Sequence, residues 1–362
     1  MSYLADLYLL QERIQEALGV YERLLKERPD SAVIHFNVGI LYAKAGQWKE
    51  AVERLSRAVE LDPDNLEARL GLGVSRELAG QLEPAKEEFL KALALEPNNT
   101  RLIHYLAEVC YRMSELEESA HWLTRYLSFQ PREPEAYLQL GTLRMDQGRW
   151  EEAVHLFRFA LGLDSAEEPP LEIWLSLGTA YQMGGAVAQA EEAFQRAVSL
   201  GGPEQTRAHL ALGMLYQRLL RFEESEKVYR QAYRINPDDP ELLNGLGYLY
   251  AEWGVHLEEA VALIQRALAQ EPQNGAYLDS LGWAYFRLGR LEQAVETLKE
   301  ASLQTPDPEV LDHLGQVYFA RGNAQAAKEA WGQALSLHPK DPQIVRRLQQ
   351  GLKALKTRRG RR

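Results

Sequence analysis

An all-α solenoid is the fold class this sequence predicts, and three spacings predict it. Small residues recur at intervals close to 34, at Ala5, Gly39, Gly73, Ala107, Gly141, Gly178, Gly213, Gly247, Gly282 and Gly315. A fixed period of that length marks stacked helical units. Prolines close most intervals, at Pro29, Pro63, Pro97, Pro131, Pro237, Pro272, Pro306 and Pro339. A residue that cannot continue a helix interior separates one unit from the next. A second glycine falls inside the interval, at Gly46, Gly80, Gly148, Gly185, Gly254, Gly289 and Gly322. There it is placed to take the left-handed conformation that ends the first helix of a pair.

The second helix of each unit carries its own small residues. Ala17, Ala51, Ala85, Ala153, Ala190, Ala294 and Ala327 follow the first slot by twelve positions, with Ser119 and Ser225 in two units and Ala260 one residue late. Ala58, Ala92, Ala160, Ala197, Ala232, Ala267, Ala301 and Ala334 come seven later. Fixed slots for residues that are nearly all backbone mark points where two helices cross closely. In chain order this gives ten helix pairs, 1–31, 32–65, 66–99, 100–133, 134–170, 171–205, 206–239, 240–274, 275–307 and 308–341. Residues 342–362 form a final helix that caps the last unit and ends in a basic tail. Leu163-Asp-Ser-Ala-Glu-Glu-Pro-Pro170 stretches one unit to 37 residues, and Gly201-Gly202-Pro203 lengthens the next to 35. Paired prolines disfavour helix, so an amino-terminal array, 1–163, is expected to meet a carboxy-terminal array, 171–341, through a loop or hinge at 164–170.

The pattern resembles the tetratricopeptide repeat (TPR) family. Trp174-Leu-Ser-Leu-Gly178-Thr-Ala-Tyr181 matches its W-x2-L-G-x2-Y signature, and Leu281-Gly282-Trp-Ala-Tyr285 matches most of it. Tyrosine fills the last slot at Tyr8, Tyr42, Tyr181, Tyr216, Tyr250, Tyr285 and Tyr318, with departures at Arg76, Cys110 and Arg144. Those departures predict less regular packing in the early units. The resemblance covers residues 1 to about 341 and implies a right-handed superhelix of about ten TPR helix pairs plus the carboxy-terminal capping helix. The segments Asn244-Gly-Leu-Gly-Tyr248 and Leu278-Asp-Ser-Leu-Gly-Trp283 resemble bacterial TPR proteins, including lipoproteins that present other proteins to one another.

Composition narrows the function classes. The chain is 46% hydrophobic and 26% charged, with a mean hydropathy of −0.38, and no apolar run approaches the roughly 20 residues of a membrane span. Met1-Ser-Tyr-Leu-Ala-Asp-Leu-Tyr8 already follows the helical pattern, so no secretory signal is expected there. Aligned on Ala5, however, Met1 falls at the fourth position of its unit, as in a fragment or a misassigned start. The expected location is cytoplasmic as the sequence stands, or periplasmic or lipid-anchored with a segment upstream. Cys110 is the one cysteine and supports no internal disulfide framework; it reads as a small packing residue. The eight histidines fall in no metal-ligand spacing, so neither metal nor cofactor is expected. Gly71-Leu-Gly73 and Gly245-Leu-Gly247 lie inside first helices and not after strands, which makes them packing glycines. Glu151-Glu152 and Glu191-Glu192 begin second helices, where the helix dipole favours negative charge. No catalytic constellation emerges.

Charge is uneven. The chain carries 41 basic and 52 acidic residues, a net −11. Residues 342–362 hold eight of the basic residues and no acid, leaving 33 against 52, a net −19, on the rest. The tail Lys356-Thr-Arg-Arg-Gly-Arg-Arg362 has the character of a nucleic-acid or anionic-membrane contact, or of an end that complements the acidic body. An acidic body repels phosphate, so nucleic acid is not expected along the helices themselves.

In the family the resemblance names, first helices line the concave face through unit positions 2, 5, 9, 12 and 13. Carried onto the last three units, these positions give a candidate peptide groove of Asn244, Tyr248, Asp279, Trp283, Phe286, Arg287, Asp312, Gln316 and Phe319. Aromatic anchors with polar groups between them suit an extended peptide, while repeat core explains adjoining aromatics almost as well. A secondary groove at 100–133 comprises Arg101, His104, Glu108, Tyr111 and Arg112. The carboxylate clamp of co-chaperone TPR domains is absent, since Phe36/Ile40, Leu70/Val74 and Leu210/Met214 stand where its Lys and Asn belong. The resulting expectation is a non-enzymatic scaffold or adaptor that binds a protein or peptide partner. Binding through the basic tail and service as a regulatory subunit of a separate enzyme stand as its rivals.

Overall fold

The computed structural model describes residues 7–8, 11, 13–163, 170–202, 205–339 and 341–359, with side chains to residue 355. Among them lie twenty helices of twelve residues or more and no strand, the expected all-α solenoid. The loop expected at 164–170 lies outside the described residues apart from Pro170. So do most of the first unit's first helix and the side chains of the basic tail.

The chain forms two compact units, Met1–Gly185 and Ala186–Arg362. In the first, α1 (Ile14–Glu27) is followed by the pairs α2 (Ala32–Lys44) with α3 (Trp48–Leu61), α4 (Leu66–Leu78) with α5 (Leu82–Leu95), and α6 (Thr100–Arg112) with α7 (Leu116–Phe129). Then come α8 (Pro134–Asp146) with α9 (Trp150–Leu161), and α10 (Leu171–Met183). The second opens on α11 (Val187–Leu200) and continues with α12 (Gln205–Arg218) and α13 (Phe222–Ile235), then α14 (Pro240–Trp253) and α15 (Leu257–Gln270). The pairs α16 (Gly275–Arg287) with α17 (Leu291–Gln304) and α18 (Pro308–Ala320) with α19 (Ala324–Ser336) follow, and α20 (Pro342–Arg359) packs on both α18 and α19. No described helix is long and apolar enough to cross a membrane.

The small-residue slots are the crossing points. At Gly282 a Cβ would stand 2.5 Å from Leu298 Cγ, so α16 and α17 approach only because that side chain is missing. Ser119 and Ser225, which replace alanine, are buried and donate to the carbonyls of Ala107 and Gly213, at 2.7 and 2.8 Å. A hydroxyl thus fits an apolar slot by bonding the helix it crosses. The tyrosines of the last slot reach back one unit. Tyr42 donates to Glu22, Tyr216 to Glu191 and Tyr250 to Glu226, at 2.9–3.1 Å.

Where tyrosine is missing the helices remain regular, and ion pairs take over. Glu88 is buried among Arg69, Arg76 and Lys91, at 2.9, 3.2 and 3.1 Å. Arg144 draws on Gln147, Glu117 and Glu152. At Arg76 and Arg144 charge takes the place of the aromatic ring, and the helix pairs persist.

The mid-unit glycines hold positive φ throughout, from 72° at Gly46 to 82° at Gly322. Among the described residues two units lack that glycine, and Ser114 and Leu220 adopt φ of 63° and 58° in its place. For a leucine this conformation costs about 1–2 kcal/mol, and Leu220, 70% exposed, recovers little of it by burial. Leu220→Gly is therefore expected to stabilise the chain by about 1 kcal/mol, seen as a higher midpoint in urea unfolding.

Candidate functional site

The last three pairs belong wholly to the second unit, where α14, α16 and α18 pack in succession. Each start is fixed locally. Asp239, Asn274 and Asp307 accept from backbone N–H groups of the first turns of α14, α16 and α18, and proline follows at two of the three starts. Capping and proline together set where each helix begins, and hence which residues reach the fifth and ninth unit positions.

The structure divides the nine candidate residues by exposure. Asp279, Trp283 and Asp312 are buried; Asn244, Tyr248, Phe286, Gln316 and Phe319 are half-buried; Arg287 is exposed. Trp283 belongs to the same apolar cluster as Tyr250, Leu281 and Leu298, with Tyr248 and Phe286 packed against it. The Trp283 and Phe286 rings stand 5.1 Å apart, and Phe319 lies 6.0 Å from Trp331. Arg287 donates to the Glu252 carbonyl at 2.8 Å, which ties α16 to α14.

A polar ladder joins successive units on this side. Asp279, at the fifth position of its unit, accepts from His313 Nδ1, at the sixth position of the next, at 2.9 and 3.0 Å. One unit on, Asp312 repeats the geometry with Arg347 Nε of α20 at 3.1 Å. It also accepts from Trp331 Nε1 at 2.9 Å and Gln316 Nε2 at 3.2 Å, while Arg347 reaches Glu309 at 3.0 Å. Burial raises the Asp312 pKa, and Arg347, His313, Trp331 and Gln316 pull against that rise. The Tyr248 hydroxyl is held well above its ordinary range by burial, then by Glu252, Glu309 and Asp279.

One unit earlier the ladder is open. Asn244 holds the same fifth position, but Ser280 opposite it in sequence register donates to Ala276 of its own helix, at 3.0 Å. Asn244 Oδ1 is buried without a partner among the described residues, and so is Trp283 Nε1. A buried acceptor and a buried donor, each with unused hydrogen-bonding capacity, therefore lie on adjacent first helices. His313 and Arg347 escaped sequence reasoning because their partners lie about one repeat away. The recurrence of the sixth position across units is the signal that finds them.

The secondary candidates lie in the first unit and are largely engaged with neighbouring repeats. His104 bonds Gln139 at 3.2 Å, Tyr111 donates to Asp146 at 3.3 Å, and Arg112 pairs with Glu77 at 2.7 Å. Arg101 lies over the Tyr105 ring, and Glu108 is exposed. Below them Cys110 is fully buried, and its ligand atom and those of Glu115 and Glu118 fall within 4.8 Å of one another. Lys86 Nζ sits 2.6 and 2.7 Å from the two carboxylates. Burial opposes the lysine's charge, but those two hydrogen bonds outweigh it and raise its pKa. The ammonium is thus the cation these carboxylates hold, and burial pushes the thiol up to about 12.

Residues 76–306, more than half of the chain, match the family described as the cilia and flagella-associated protein 70 C-terminal domain. Residues 8–69, 42–91 and 308–341 match tetratricopeptide repeat families. A TPR repeat-containing protein of Pseudomonas aeruginosa is 32% identical over 209 residues, 56% of this chain and 34% of that protein. The type IV pilus assembly protein PilF of the same species is 27% identical over 150 residues, 40% of this chain and 58% of that protein. The chain thus spans about a third of the first relative's length and somewhat over half of the second's. Among solved structures, yeast Tom70 superposes with a TM-score of 0.53 at 16% identity, covering 99% of this chain and 95% of that one. At that identity the likeness is one of fold.

Proposed function

The chain belongs to the tetratricopeptide repeat family, and from that premise we propose that it is a non-enzymatic scaffold whose last three helix pairs bind an extended segment of a partner protein. TPR proteins generally mediate protein–protein contacts, and repeats account for nearly all of this chain. The observation that carries the reading is the pair of unpartnered buried atoms, Trp283 Nε1 and Asn244 Oδ1, beside the half-buried rings of Tyr248 and Phe286. Once the side chains covering them shift, an extended backbone supplies a carbonyl for the first atom and an N–H for the second, while its side chains pack on the rings. Burial of an unfilled donor or acceptor costs about 1–3 kcal/mol, which a bound backbone relieves.

Peptides selected by phage display against the purified chain provide the probe. Trp283→Phe keeps a ring and removes the donor, so it should weaken a selected peptide about tenfold, equivalent to about 1.4 kcal/mol, with the melting temperature retained. Deleting residues 356–362, which keeps the buried Leu355, should leave affinity unchanged. Peptides that bind Trp283→Phe and Tyr248→Ala as tightly as the parent would refute the site.

A further inference from the structure

We propose that His313 is the positioning residue of this groove: its charged imidazole pins Trp283 and Asp279, and loss of that charge releases them, so the groove responds to pH. The proposal deepens the peptide-groove reading and rests on it, but its test reads the protein without ligand. The imidazole is 2% exposed and stacks on the Trp283 indole, with centroids 4.3 Å apart and planes at 20°. Its Nδ1 faces both oxygens of Asp279, at 2.9 and 3.0 Å. Both partners lie on α16 and both are candidate groove residues, whereas His313 lies on α18 and outside the groove positions. One side chain from the next repeat thus fixes a ring and a carboxylate four residues apart on the groove helix. A cation over an indole face gains from the ring's quadrupole, and a neutral imidazole forfeits that gain.

The carboxylates around the imidazole all favour its charged form. Asp279 approaches from α16, and Glu309 and Asp312 act from its own helix. Arg347 of α20 is held by Glu309 and Asp312, while α19 contributes the neutral Trp331, also bonded to Asp312. Tyr248 of α14 shares the field of Asp279, Glu309 and Arg347. Burial works against the imidazolium, but the charge and hydrogen bond of Asp279, then Glu309 and Asp312, outweigh it and raise the His313 pKa above 6.5. A raised folded-state value means the pair's stabilisation is fully present below about pH 6.5 and is lost as pH climbs through the folded value.

The next unit shows what a permanent charge does at this position, because Arg347 makes the equivalent contact to Asp312. The test follows the indole 15N–1H signal of Trp283, assigned through Trp283→Phe, from about pH 6 to about pH 9. In the parent chain that signal should move in one transition centred above about pH 6.5, with the melting temperature falling over the same range. His313→Arg should hold the signal at its low-pH position throughout. Should that variant misfold, Asp279→Asn tests the same link by drawing the transition down to about pH 6.5 or below. A parent signal that does not move overturns the proposal, as does a transition that survives unchanged in His313→Arg or Asp279→Asn. Failure of every peptide to bind would sink the groove reading and leave the indole titration standing as a separate result.

Discussion

Phe157→Ala should lower the stability of the first unit by about 3–5 kcal/mol, the range for deleting a fully buried ring. Phe157 has no exposed surface and fills the space beside Gly141, where even a Cβ would collide with the ring. The crossing of α8 and α9 is built on that one complementarity, so backbone relaxation has little room to close the gap. In a repeat array each unit leans on its nearest neighbours, and the loss should therefore be local. Hydrogen exchange should speed up in α8 and α9, and less in α7 and α10, while urea unfolding gives the total. A change below about 1 kcal/mol would mean that the crossing collapses around the missing ring.

Asp312→Ala should cost about 3–5 kcal/mol at the other end of the chain, as expected when one member of a buried ionic network is removed. The carboxylate is 1% exposed and accepts from Trp331, Gln316 and Arg347, which belong to α19, α18 and α20. Without it the Trp331 N–H is buried unpaired, and Arg347 keeps only Glu309. The upper part of the range is less expected, since the Arg347 side chain is 44% exposed and water screens its loss. The pH behaviour separates Asp312 from an ordinary surface carboxylate. Its pKa is raised, so its neutral form is the one folding favours, and acid should not loosen this joint through Asp312 itself. Exchange protection in α20, compared with that in α14, reports whether the last helix has come free.

How far the sequence could be read follows from the range of each interaction. The helix pairs were legible because Gly282 and its equivalents, and the second-helix alanines such as Ala294, are demanded by volume, and volume repeats with the period. The left-handed turns were legible at Gly46 and Gly289 but not at Leu220, where the backbone conformation persists and the residue type hides it. Tyr216 and Tyr250 could be placed in a slot, whereas their acceptors, Glu191 and Glu226, lie on the preceding unit's second helix. Position arithmetic assigned Trp283 to a groove; only packing reveals that most of its surface is covered and that an indole N–H is left unpaired. His313 was the hardest to see. It occupies no groove position, and its role depends on Asp279 and Trp283 in the preceding repeat.

The burial of Cys110 also equips the chain with an internal clock. It is the single thiol in 362 residues, fully covered by the first unit's core and held protonated by a pKa pushed up to about 12. A thiol so protected meets an alkylating reagent mainly when its surroundings open, and in the fast-closing regime the labelling rate measures the free energy of that opening. The mass shift needs no assignment, since there is one site to modify. Breathing around α6 can thus be timed in the unaltered protein, at equilibrium and without an attached dye.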